Sequence, residues 1–402
     1  MKEKKVRTAG MTITQNRLAL CATVASLALA CLTTVAKSDK NNNGNNNGNN
    51  GNHNENENRN ANRYKQVNLV SDQAGVAMLQ DTNLVNSWGV SFSSTSPFWI
   101  SDNGSGLATL YAVTNDSSGM VQVAKQGLEV SIPGDGTPTG QTFNGTGSFN
   151  GDIFIFVSED GTVSGWRPAL MTAAETLISR DTAVYKGVTL VTTSQPLLLA
   201  ANFAEGTVDA YGTNNSGVVL MGQFSDPNTP AGYAPFNIQK IGHFVFVTFA
   251  KQNDAKHDDV KGAGNGFIDI FNPNTGAFRR FATGSSVGGK LDEINSPWGV
   301  VLAPKTFGKH SDQLLVGNFG SGTIMSFEAD GKFRGLLKSV NGGPVTIDGL
   351  WALTFGNGGR GGDPNTLYFT AGPDDESHGL FGSLGPVKNG KGHGHDNDDD
   401  DD

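Results

Sequence analysis

One repeat restricts what this chain can fold into more than any other feature. A glycine followed five residues later by an aromatic or apolar residue occurs six times, as Gly106 and Tyr111, Gly161 and Trp166, Gly206 and Tyr211, Gly266 and Phe271, Gly322 and Phe327, and Gly379 and Leu384. The copies are 45 to 60 residues apart. Each glycine stands between two short apolar runs, such as Phe154 to Val157 and Thr162-Val163. That arrangement predicts hairpins in which glycine supplies the positive φ of the turn.

A second signal lies upstream of several turns. Trp88-Gly89-Val90, Trp298-Gly299-Val300 and Trp351-Ala352-Leu353 follow Asn86, Asn295 and Asp348, with Phe236-Asn237-Ile238 a weaker relative. These segments begin the innermost strand of their repeats, so each repeat reads as a four-stranded blade. Six turns predict an all-β, six-bladed β-propeller over residues 64–387. Its sixth copy stops soon after its third strand, near Leu384, while residues 64–70 precede the first inner strand and have no blade of their own. The expectation is that this N-terminal strand pairs into the last blade and closes the ring.

Outside the propeller the chain divides into three further parts. Residues 1–36 read as an export signal, with Lys2, Lys4, Lys5, Arg7 and Arg17 ahead of an apolar run from Leu18 to Leu32. Residues 37–63, rich in Asn and Gly, bury too little apolar surface to order and form a linker. Residues 388–402, ending in six Asp among other polar residues, form a disordered acidic tail. The expected location is secreted, extracellular or periplasmic, with a lipid anchor through Cys31 as the other route and no transmembrane domain in the mature chain.

Both cysteines, Cys21 and Cys31, fall inside the leader, so the folded part has no disulfide, thiolate nucleophile or Cys-ligated metal. Past residue 36 the chain holds 24 basic against 37 acidic residues. That balance argues against nucleic acid and favours cations or cationic partners. A monomer is expected. There is no Gly-x-Ser-x-Gly elbow, His-Glu-x-x-His or Walker loop. The glycine-rich 104–106 and 358–362 segments fall in hairpin or linking loops and make poor phosphate cradles.

Residues 101–111 resemble an NHL-type propeller repeat, as does Pro297-Trp298-Gly299-Val300, although the usual Arg register holds Leu107, Thr207 and Thr323. Residues 83–89, 258–267 and 370–381 resemble a family of uncharacterised secreted bacterial propellers. The resemblance spans roughly residues 64–384 and implies the fold and export, but no reaction.

Two second-to-third-strand turns are enlarged. Blade four carries His257, Asp258 and Asp259, and blade six carries Asp374, Glu376 and His378. Six blades would put both on one face of the ring, where propellers bind ligands at the channel mouth. These six residues suit a divalent cation, Ca²⁺ or a transition metal, and equally suit solvated turns capped by their own side chains. Asn86, Asn295 and Asp348 are candidate ligand-binding residues toward the channel, or satisfy backbone groups where strands begin. Trp88, Trp298 and Trp351 read as blade packing. The leading expectation is an exported binding module for a protein, glycan or small molecule. The alternatives are a metal-dependent, lactonase-like hydrolase and a structural envelope or matrix protein.

Overall fold

The computed structural model describes residues 61–214 and 224–387. The stretches expected to be an export signal and an acidic tail, and nearly all of the expected Asn/Gly linker, lie outside these residues. Among the described residues there is no α-helix, and no helix long and apolar enough to cross a membrane. The strands form six sheets, the blades of a six-bladed propeller, antiparallel apart from the short parallel pairing of Leu79–Gln80 with the end of Tyr64–Ser71. Blade one runs outward through Ser87–Ser91, Phe98–Asp102, Leu107–Asn115 and Val121–Lys125. The inner strands of blades two to six are Pro138–Phe143, Tyr185–Thr192, Tyr233–Ile241, Pro297–Leu302 and Leu350–Phe355. Each contacts the next around the axis, and the sixth contacts the first.

The second strands show why the alternating pattern is weak in this sequence. Phe98–Asp102, Phe154–Ser158, Leu314–Asn318 and Leu367–Ala371 are buried at every position. Each sheet is sandwiched between two neighbours, so both faces must be apolar and period two gives way to short continuous runs. The cores are radial wedges. Phe98, Ile100, Tyr111, Tyr368 and Phe381 fill the one between blades six and one. Leu315, Ile324, Leu350, Leu353 and Phe369 fill that between five and six.

Five turn glycines, Gly106, Gly161, Gly206, Gly266 and Gly322, have positive φ as the repeat predicts. Gly379 differs. It is not among the positive-φ glycines, and a Cβ there would lie 1.8 Å from the Leu84 carbonyl oxygen. Close approach of the blade-one entry, not handedness, requires glycine there.

In blade six the strand Tyr64–Ser71 lies antiparallel to Leu380–Pro386, from Tyr64 opposite Pro386 to Ser71 opposite Leu380. The Tyr64 ring stacks on Phe307 at 4.7 Å and its hydroxyl donates to the Phe307 carbonyl at 2.8 Å. Its amide donates to the Lys338 carbonyl at 2.8 Å. One tyrosine thus ties the sixth blade to the fifth.

Two blades carry buried carboxyls with a chemical consequence. Asp269 accepts from Arg280 Nε at 2.6 Å and Asp152 from Arg167 Nη1 at 2.7 Å, yet one oxygen of each has no partner. Burial, only partly offset by the arginines, pushes Asp269 up to about 7 and Asp152 up to about 6. A raised carboxyl favours folding while protonated, and that contribution is lost as pH rises from the unfolded value through the folded one. The melting temperature should therefore fall between pH 5 and 7.5. Asp269→Asn should flatten the fall; an unchanged slope would exclude Asp269 as its source.

Candidate functional site

All six inner strands share an irregularity at the same place. The ladder with the second strand shifts between Ser87 and Val90, Pro138 and Gln141, Tyr185 and Gly187, Pro235 and Asn237, Pro297 and Val300, and Leu350 and Leu353. Each shift is one extra residue, a β-bulge that re-aims a side chain. The bulges bring Trp88, Thr139, Lys186, Phe236, Trp298 and Trp351 to equivalent positions, and all six are buried. Glycine or alanine follows at five of the six, Asn237 being the exception, because the strands nearly touch there. A Cβ on Gly89 would sit 2.4 Å from the Thr139 carbonyl oxygen, and one on Gly140 would sit 2.7 Å from Gly187 Cα.

The aromatic members plug the axis. Trp351 is stacked between Trp88, at 3.6 Å, and Phe319, at 3.8 Å, while Trp298 meets Trp351 edge-on at 5.9 Å. The cavity lined by the inner strands, including Gln141, Asn237, Gln239 and Thr354, measures only about 50 Å³. The axis is therefore a packed hub, with room for little more than water.

Lys186 breaks the aromatic pattern. It is 2% exposed, and its ammonium lies 5.2 Å from the Trp88 ring centroid. The ammonium bonds Glu159 Oε1 from the second-to-third-strand turn of blade two, and stands 3.5 Å from Asp258 Oδ1 of blade four. Asp258 Oδ1 also lies 2.8 Å from His257 Nδ1. On the other side Asn103 Nδ2 donates to Glu159 Oε2 at 3.0 Å, and Asn86 Nδ2 donates to Asn103 Oδ1 at 3.2 Å and to Glu376 Oε2 at 2.8 Å. Asn86 Oδ1 accepts from Trp351 Nε1 at 2.9 Å. A continuous polar network thus links blades six, one, two, three and four above the tryptophan hub.

The carboxyls of this network differ. Burial works against charge on Asp258, but the His257 contact and the Lys186 charge prevail and hold it below the ordinary value. Burial pushes Asp259 up, with the Lys186 charge opposing it. Burial also pushes Glu376 up against the Asn86 hydrogen bond and the Lys186 charge. Asp259 Oδ2, Ser296 Oγ and Trp88 Nε1 are buried without hydrogen-bond partners. The polar cup formed by these residues therefore offers an ammonium between Glu159 and Asp258, and two further carboxyls, Asp259 and Glu376, biased toward protonation. Oxygen and nitrogen atoms of Glu159, His257 and Asp258 lie within 4.8 Å of one another, close enough to share a cation.

The remaining candidates are placed elsewhere. Asp374 is exposed, and its amide donates to Asp348 Oδ2 at 2.9 Å. His378 Nδ1 lies 2.7 Å from Asp72 Oδ2, beside the N-terminal strand. Asn295 Oδ1 accepts from the Gly262 amide at 2.6 Å, a backbone-satisfying role. Lys261 Nζ reaches Asp375 at 3.8 Å, so the enlarged turns of blades four and six meet on one face. Glu159, Lys186, Asn103 and Thr139 belong to no enlarged turn and no aromatic motif of the sequence. Lys186-Gly187 and Thr139-Gly140 mirror Trp88-Gly89, and that pairing was the available signal.

No family model matches the chain. It is 30% identical over 335 residues to uncharacterized protein R648 of Acanthamoeba polyphaga mimivirus, covering 79% of this chain and 78% of that protein. The chain belongs to the R648 family. Uncharacterized protein L690 of the same virus is 27% identical to it over 334 residues, covering 79% of this chain and 84% of its own. Among solved structures, virginiamycin B lyase from Staphylococcus aureus has a TM-score of 0.46 at 12% identity, over 81% of this chain and 99% of that one. That likeness brings no activity to the R648 family.

Proposed function

We propose that this member of the R648 family is an exported binding module that takes its ligand in the polar cup at the channel mouth. The observation that carries the reading is Lys186, a lysine held 2% exposed between two carboxylates at the axis, where the equivalent strand positions hold tryptophan or phenylalanine in four blades. A buried ion pair gives up solvation that an apolar residue would not, so it is a poor device for stability alone. Carboxyls outnumber cations in the cup, which favours a ligand that presents hydroxyls or a positive charge.

The grouping of Glu159, His257 and Asp258 supports a second reading, a divalent cation acting as Lewis acid in a hydrolase. Lys186 counts against it, since its ammonium already stands where such a cation would balance Glu159 and Asp258.

Thermal-shift measurements separate the two readings. The purified chain and its Lys186→Met variant would be titrated with Ca²⁺, Zn²⁺ and Mn²⁺, with soluble oligosaccharides and with polyamines. A rise of several degrees with an oligosaccharide or polyamine, lost in the variant, is expected. A shift confined to metals, together with metal in the purified protein and lactone hydrolysis, would replace the binding module with the hydrolase. No ligand effect that depends on Lys186 would remove the cup from consideration.

A further inference from the structure

Away from the mouth, a second cavity of about 420 Å³ opens between blades one and two. It is lined at the first-to-second-strand turn of blade one by Ser93, Ser96 and Pro97, so it faces the end of the ring opposite the glycine turns. We propose that this cavity binds a small aromatic carboxylate, with the ring system between the blades and the anion at Arg360.

The walls are aromatic. Trp99 stacks on Phe154 at 4.1 Å and meets Trp166 at 4.8 Å, while Phe143, 36% exposed, lies 5.7 Å from Phe154. The volume suits a molecule of one or two rings, and offset or edge-on stacking on such walls favours planar ligands. Ser93, Ser96 and Gln126 are polar groups of the lining, and among the described residues its one charged side chain is Arg360. Among the described residues no carboxylate lines it, in a chain of net charge −9.

Arg360 is positioned by its backbone. It belongs to the glycine-rich loop of blade six, which crosses to blade one, where the Val113 amide donates to the Arg360 carbonyl at 2.8 Å and the Gly362 amide to the Val113 carbonyl at 3.0 Å. Its exposed guanidinium bonds Gln126 Oε1 and retains donors for a carboxylate. The loop gives no sign of a phosphate cradle; it delivers a cation to an apolar cavity.

The test uses 8-anilinonaphthalene-1-sulfonate, an aromatic anion that accepts energy from Trp99 and Trp166, with 2-naphthoate and neutral 2-naphthalenemethanol as competitors. Saturable one-to-one binding is expected, weakened about tenfold in Arg360→Gln, which corresponds to about 1.4 kcal/mol. Naphthoate should compete about tenfold better than the alcohol. Gly127→Trp should abolish binding without lowering the melting temperature, because Gly127 lines the cavity and a Cβ there meets nothing within 4 Å. Probe binding that survives Gly127→Trp, or no binding at millimolar probe, overturns the site. Equal binding by Arg360→Gln, or equal competition by the alcohol, overturns the anionic class. Dimerisation that Gly127→Trp abolishes and naphthoate leaves unchanged would give the groove to a second copy instead.

Discussion

Lys186→Met should lower the free energy of unfolding by about 3 kcal/mol, whereas Lys186→Met combined with Glu159→Gln should come within about 1 kcal/mol of the parent. The asymmetry follows from burial. Lys186 is 2% exposed and Glu159 is 13% exposed in its side chain, so removing the ammonium leaves a largely desolvated carboxylate held, among the described residues, only by Asn103 and within 4.8 Å of Asp258. Neutralising both removes the unpaired charge along with the attraction, and methionine fits a register where the other blades hold tryptophan, phenylalanine or threonine. Asp258, at 61% exposure, recovers its water. Urea unfolding of the two variants and of Glu159→Gln alone provides the cycle. If the double variant loses as much as Lys186→Met, the lysine matters through packing and the ion pair is not the cause.

The second large effect concerns the strand Tyr64–Ser71. Tyr64→Ala should cost about 4 kcal/mol, the usual loss for a large buried aromatic, because its ring packs among Phe307, Leu337, Leu367 and Leu384 of blades five and six. Removing residues 61–71 altogether should be worse in kind. It would leave the backbone of Leu380–Pro386 without its outer partner and open an edge to other chains. Loss of the monomer peak in size-exclusion chromatography, with aggregation on concentration, is the expected result. Lys65→Ala, at an exposed position of the same strand, should be neutral. A truncated chain that stays monomeric with an unchanged melting temperature would show that the strand is dispensable to the blade.

The sixfold repeat was legible because each blade must turn after its second strand, and five of those turns need a residue at positive φ. The inner-strand starts at Trp88, Trp298 and Trp351 were legible for a related reason, since a large residue followed by a small one marks a bulge where strands crowd the axis. The same device was less visible at Thr139-Gly140 and Lys186-Gly187, where the large residue is not aromatic and the bulge leaves no hydrophobic trace. The enlarged turns of blades four and six were also legible as long polar insertions. Which of their residues matter was not. Asp258 and Glu376 turn into the network at the mouth, whereas Asp374 and His378, within the same loop as Glu376, face Asp348 and Asp72.

The sequence by itself determined the number of blades, the order of the first three strands within them and the end of the ring on which the long loops stand. All three follow from local chemistry: turn glycines, apolar runs and insertion length. Tertiary structure alone decided what meets at the axis. Glu159, Lys186 and Asp258 come from three blades, and each is brought inward by a turn or a bulge whose direction depends on the neighbouring sheet. No period in the chain records that meeting, because the contact is made across the ring rather than along it.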